Sequence, residues 1–150
     1  MAIYMMTTAR KGIPSTQMAR ELGMNPIEIE ETGLAGLVHD IGELRIPSQI
    51  TQKRGDLNKS EQNFLNMHPQ YGLEMLNQLQ AFEPRIREVA HLHHERLDGT
   101  GYPDGLAGDD IPLLAQIIGI VDVYDAMASV GRKFLLAGKG GMNITHSEPY

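Results

Sequence analysis

His93-His94-Glu95-Arg96-Leu97-Asp98-Gly99-Thr100-Gly101-Tyr102-Pro103 sets two adjacent imidazoles ahead of an acidic, glycine-hinged loop. Packing alone does not call for such a pattern, and it reads as half of a metal site. The other half lies upstream in His39-Asp40, at the end of an apolar helical segment, and in His68 before Pro69. A last member lies downstream, in Asp122 of Ile117-Ile118-Gly119-Ile120-Val121-Asp122. Residues so far apart meet only by folding. Neighbours on a helix point about 100° apart, so His93 and His94 are not expected to bind one ion in the same way, whereas two ions side by side take one each. The doublet therefore points to a multinuclear centre. His39-Asp40 follows the same logic, because an aspartate can bridge two metals through its two oxygens. Imidazole mixed with carboxylate favours Fe, Mn, Ni, Co or Zn over Mg or Ca.

The chain has 150 residues and no cysteine. That length is one ordinary domain with a core of its own, and the missing thiols exclude disulfides, zinc ribbons and thiol catalysis. A formal charge of -6 argues against DNA as a partner, since an electrostatic binder needs a basic face to displace counterions. It leaves room for a small phosphorylated substrate, because divalent metals bring positive charge into the site. The N-terminus lacks a basic start followed by a long apolar core, so no signal peptide is expected, and no apolar run reaches membrane-spanning length. A soluble cytoplasmic protein, or a soluble piece of something larger, is the expectation.

Asn25-Pro26-Ile27-Glu28 predicts a helix start, with an N-cap, a proline at the first position and an acid at N3. Leu34, Leu37, Val38 and Ile41 recur at helical spacing, Gly42 ends the segment, and His39 and Asp40 fall in its last turn. Arg45 to Gly55 reads as an irregular connection. Asn58 with Glu61 predicts a second capped start, Pro69 opens a further helix, and Pro84 begins one whose Ile86, Val89, Ala90 and His93 share a side. Asp98 to Asp110 is a loop by its glycines and aspartates. Pro112 starts a helix through Ala128, apolar on nearly all sides from Leu113 to Val121, as for a helix central to a bundle. With no useful alternating pattern, the fold class is all-α.

His39-Asp40-Ile41-Gly42, His68-Pro69-Gln70-Tyr71-Gly72, His93 to Pro103 and Val121-Asp122-Val123-Tyr124-Asp125-Ala126 together resemble the HD-GYP family, over roughly residues 19 to 129. The resemblance implies an HD-type helical bundle with two or three divalent transition metals, Fe or Mn foremost. It also implies hydrolysis of cyclic di-GMP to linear pGpG, GMP or both. By motif, the ligands are His39, Asp40, His68, His93, His94 and Asp122, with hydroxide supplied at the metals and no side-chain nucleophile. Gly101, Tyr102 and Pro103 shape the loop beside the substrate, Glu95 and Asp98 orient imidazoles from behind, and Asp125 is a hydrogen-bonding support. A sensor or receiver domain is the implied partner in a full-length protein.

The chain departs from the family pattern in three places. Glu43 stands where a phosphate-holding lysine is usual, Met5 to Lys11 lacks the usual upstream His, and the usual Arg-Pro-Tyr element after Ser129 is replaced by Val130-Gly131-Arg132. Arg132 is carried over only as a displaced substrate contact. Residues 1–129 are thus read as the domain with an incomplete first helix, and 130–150 as an atypical, flexible tail. These departures favour a rival reading, a regulatory module that keeps the scaffold without turnover; hydrolysis of another phosphorylated nucleotide is a third. A lone histidine is usually structural, which is how His91 and His146, both outside the motifs, are taken. Gly138-Lys139-Gly140-Gly141 has the wrong glycine spacing for a phosphate loop and no hydroxyl residue after its lysine.

Overall fold

The computed structural model of the chain describes residues 13–138, with side chains to residue 128. Helix α1 covers residues 13–21. It is followed by α2 (Pro26–Val38), a 3-10 turn (Ile41–Arg45), α3 (Ser48–Thr51), α4 (Lys59–Leu65), α5 (His68–Leu79) and α6 (Pro84–Leu92). A second 3-10 turn (Gly108–Asp110) and α7 (Leu113–Gly138) complete the order. Among the described residues the only β-pairing is an isolated bridge between Asp98 and Ala107, so the all-α expectation holds.

The capped starts form as their residues dictate. Asn25 accepts the amide of Glu28 while the Glu28 carboxylate takes the amide of Asn25, and Asn58 with Glu61 repeats the exchange. Each box satisfies two amides that a helix start otherwise leaves open. Helix α6 is the hub, packed on α2, α5 and α7. Ala35, Ile86, Val89, Leu92, Ile111, Leu114 and Ile118 form the buried core between them.

Five details differ from the sequence expectation. In α2 the buried residues are Thr32, Ala35 and Gly36, while Leu37 is exposed; close approach to neighbours selects the small side chains, which large-apolar periodicity overlooks. His39 and Asp40 stand at the break after α2 rather than within its last turn. The connection from Arg45 to Gly55 contains a helical turn, α3. Helix α7 is buried through Leu114, Ala115, Ile117, Ile118 and Val121, but Leu113, Ile120, Val123, Tyr124 and Met127 are exposed, so it is one-sided rather than central. The helix also runs on past residue 129, where the domain was expected to end; no proline interrupts the stretch before Gly138. Residues 139–150, with His146, lie outside the described residues, as do Met5 to Lys11 and the side chain of Arg132.

Candidate metal centre

Two glycines bring the ligand-bearing segments together. A Cβ at Gly42 would strike the His68 carbonyl and the Gly72 amide, so only glycine lets the 3-10 turn lie on the start of α5, which sets Asp40 beside His68. A Cβ at Gly119 would sit 2.9 Å from the His93 carbonyl oxygen, so α7 presses against the end of α6. Asp122, nearly one turn on, then reaches the same space.

The six expected ligands converge. Ligand atoms of Asp40, His68, His93 and His94 lie within 4.8 Å of one another, and those of His39, His93 and Asp122 do likewise. One Asp40 oxygen is 3.1 Å from His39 Nε2. Its other oxygen is 3.3 Å from His93 Nε2 and 3.5 Å from His68 Nε2, so this carboxylate spans both groups. Asp122 Oδ1 lies 3.6 Å from His39 Nε2. His93 and His94 share one group, and His93 belongs to the other as well, an arrangement in which each ring can face a different ion. Helix α6 ends at Leu92 and His93 is its C-cap, so the angular rule for helical neighbours does not govern the pair, and their rings stand 4.2 Å apart.

Backbone carbonyls hold three of the rings. His39 Nδ1 donates to Gly36 O at 2.8 Å, His68 Nδ1 to Leu65 O at 2.7 Å, and His93 Nδ1 to Ala90 O at 3.1 Å. A carbonyl only accepts, so the proton sits on Nδ1 and each Nε2 is left to face the centre. This is the tautomer that metal-binding histidines take. His68 Nε2 and His93 Nε2 then meet at 3.4 Å, nitrogen against nitrogen, an arrangement that positive charge between them relieves.

The electrostatics carry the same demand. Burial opposes ionisation of Asp40, but the imidazoles of His39, His68 and His93 around it, which donate to the carboxylate when they take up a second proton, outweigh it and hold the carboxyl well below its usual range. Burial lowers the pKa of His93, and pushes that of His94 down to about 3 with help from His93 and His68, so both are neutral and ready to ligate at neutral pH. His68 runs the other way, because hydrogen bonding to Asp40 and its charge overcome burial and raise the pKa. The pull on a proton there is the pull that a metal cation answers. The donor set, tautomers and charge therefore fit divalent metal.

The remaining expected residues are placed differently. Among the described residues the Glu95 carboxylate makes no hydrogen bond to an imidazole; it accepts from the backbone amides of Asp104, Gly105 and Leu106. Asp98 closes a local turn on the amide and hydroxyl of Thr100. Asp125 is half-buried on α7 and outside both ligand groups. Tyr102 stacks on His94 with centroids 4.9 Å apart and planes 12° apart. Burial, followed by the charges of Asp122 and Asp40, pushes its phenol up to about 12. Gly101 supports this placement, since a Cβ there would run into the His94 carbonyl and the Arg96 amide, and Pro103 is exposed. Two residues escaped the sequence reading. His91 tethers the loop through Asp104 at 3.1 Å, and exposed Arg96 lines a cleft of about 590 Å³ beside His93 and His94, walled by Ile120, Val123 and Tyr124. Neither residue carries a signal that separates it from ordinary surface charge.

The pattern of the HD domain matches residues 5–136. The chain belongs to the HD domain family. Within it the HD-GYP resemblance stands, since relatives of this HD domain carry the corresponding names. Over 112 residues it is 44% identical to "Cyclic di-GMP phosphodiesterase PA4108" of Pseudomonas aeruginosa, covering 75% of this chain and 27% of that protein. It is 40% identical over 113 residues to "Cyclic di-GMP phosphodiesterase response regulator RpfG" of Xanthomonas campestris pv. campestris, covering 75% and 30%. It is 43% identical over 113 residues to "3'3'-cGAMP-specific phosphodiesterase 1" of Vibrio cholerae, covering 73% and 25%. The chain thus spans between a quarter and a third of the length of these relatives. The solved structure of Bd1817, a HDG"Y"P protein from Bdellovibrio bacteriovorus, superposes with a TM-score of 0.66 at 23% identity, over 79% of this chain and 40% of that one, which supports the HD-type fold. No helix among the described residues is long and apolar enough to cross a membrane.

Proposed function

We propose that this domain is a metal-dependent phosphodiesterase that hydrolyses cyclic di-GMP to linear pGpG, GMP or both, as the output module of a cytoplasmic signalling protein. The observation that carries the reading is the convergence of His39, Asp40, His68, His93, His94 and Asp122, with three rings already held in the metal-binding tautomer. His39, His93 and Asp122 would hold one metal and Asp40, His68 and His94 another, with His93 within reach of both; iron or manganese suits the donors best, and Ni, Co or Zn is compatible. Bound there, the metals supply Lewis-acid chemistry, polarising the phosphodiester and lowering the pKa of water toward neutrality.

The chain's own residues do the rest. Asp40 stays ionised and fixes the spacing of the imidazoles on either side of it. Tyr102 covers one face of His94 and excludes water there. Arg96 offers a guanidinium to a phosphate in the adjoining cleft, whose apolar wall from Ile120 to Tyr124 suits a nucleobase. Attachment to a receiver or other sensor is in keeping with the response-regulator name of one relative.

A second reading has its own support, because the relative named for 3'3'-cGAMP is 43% identical, close to the 44% of one named for cyclic di-GMP. Protein loaded anaerobically with Fe(II) or Mn(II) is therefore incubated with each dinucleotide and the products are separated by chromatography. Faster loss of cyclic di-GMP bears out the proposal, and faster loss of 3'3'-cGAMP changes the substrate. Bound metal without turnover of either makes the domain a regulatory module.

A further inference from the structure

Three of the four clustered histidines have a ring nitrogen fixed by a backbone carbonyl; His94 has none among the described residues. The His93 and His68 rings meet His94 at 46° and 88°, whereas the Tyr102 ring lies flat against it at 12°. Tyr102 reaches that position on a loop that one buried carboxylate gathers from within. The Glu95 carboxylate, 9% exposed, accepts three successive amides, from Asp104 at 2.6 Å, Gly105 at 3.1 Å and Leu106 at 2.9 Å. Successive amides face one point only when the backbone curls around it, and an anion holds such a curl far better than a neutral group. The loop ends are drawn together by Gly108 N donating to Leu97 O at 2.9 Å, and Tyr102 N donates to His94 O at 3.3 Å.

We propose that Glu95 and Tyr102 are positioning residues for His94, Glu95 as the clamp that gathers the loop from Arg96 to Ala107 and Tyr102 as the plate the clamp presses on the imidazole. The assignment rests on the reading of His94 as a metal ligand. Tyr102 acts on His94 through its ring rather than its hydroxyl, so Tyr102→Phe keeps the stack and Tyr102→Leu loses it. Glu95→Gln keeps the shape, but it removes the charge and turns an amide donor toward a backbone amide that needs an acceptor.

The test is made on metal-free protein by NMR and then by cobalt titration. A ring stacked on His94 shifts the imidazole protons upfield. That shift is expected in the wild type and in Tyr102→Phe, and is expected to be lost in Tyr102→Leu and Glu95→Gln. Cobalt affinity is expected to fall about 10- to 100-fold in the two disrupted variants, the usual effect of losing a ligand-orienting residue, and to hold in Tyr102→Phe. Retention of the upfield shift in Glu95→Gln, or unchanged cobalt affinity in Tyr102→Leu, overturns the proposal. Should Glu95→Gln fail to fold, Glu95→Asp, too short to reach all three amides, takes its place with the same expected losses. A wild type that shows the shift but binds no cobalt leaves the clamp standing and removes the metal reading.

Discussion

The ligand cluster and the loop that covers it are ordered by opposite means. In the cluster, backbone orients side chains, as carbonyls near the ends of helical segments take the Nδ1 protons of His39, His68 and His93. In the loop, a side chain orients backbone, as Glu95 takes the amides of Asp104, Gly105 and Leu106. Helix ends have spare carbonyls and loops have spare amides, so each region uses the partner it lacks. The cluster accordingly has several independent supports, joined at Asp40 and His93, whereas the loop is gathered chiefly by one carboxylate.

The sharpest way to break the cluster is at its shared residue. Asp40→Ala removes the oxygens that face His39, His68 and His93. Metal loading and turnover are expected to fall more than about 100-fold, beyond the loss of a supporting residue, as read by elemental analysis and rate. Glycine substitutions compare the two regions next. Gly42→Ala forces a methyl into the backbone of α5 at a buried contact, and is expected to destabilise by about 3 kcal/mol. Gly101→Ala meets backbone on a more exposed loop that can shift; about 1 kcal/mol is expected, with loss of the Tyr102 stack. Denaturant titrations of the two variants measure this ordering, and equal losses would contradict it.

Acid probes the cluster more gently. The pKa of His94 is about 3 in the folded chain against an ordinary 6.5, and that of His93 is lowered too. Between those values the unfolded chain holds a proton that folded His94 refuses, so metal-free protein loses stability as pH falls through that window. His68, with its raised pKa, opposes this; its contribution is present below 6.5 and lost as pH rises through the folded value. His94→Gln should flatten the acid slope in denaturation curves, and an unchanged slope would count against the burial account. The smallest effect is expected outside the cluster. The charge of Glu43 acts on both His68 and Tyr102, and Glu43→Lys should lower KM for an anionic dinucleotide a few-fold, the scale of one partly screened charge, with little change in metal content.

The clustering residues were legible because metal chemistry restricts residue types, and His39-Asp40, His68, His93-His94 and Asp122 carry that restriction wherever they stand in the chain. The geometry around them was less so. The role of Glu95 depends on amides nine to eleven positions away, and backbone amides leave no mark in a sequence. Gly42 reads as a helix stop, yet its use is to admit the start of α5 at close range, and Gly119 inside an apolar helix gives no hint that it faces a carbonyl. Leu37 and Ile120 show the limit of periodicity, since both fit an apolar stripe and both are exposed. Hydropathy tells how apolar a face is; it does not tell which neighbour comes close enough to require a small residue.

Six side chains are proposed to hold a metal pair, which the metal content of anaerobically purified protein loaded with Fe(II) or Mn(II) tests. The two ligand groups, joined through His93 and Asp40, predict two tightly held ions per chain, with both lost together in Asp40→Ala. A folded wild type that retains none, or an Asp40→Ala variant that keeps its full complement, would contradict the account.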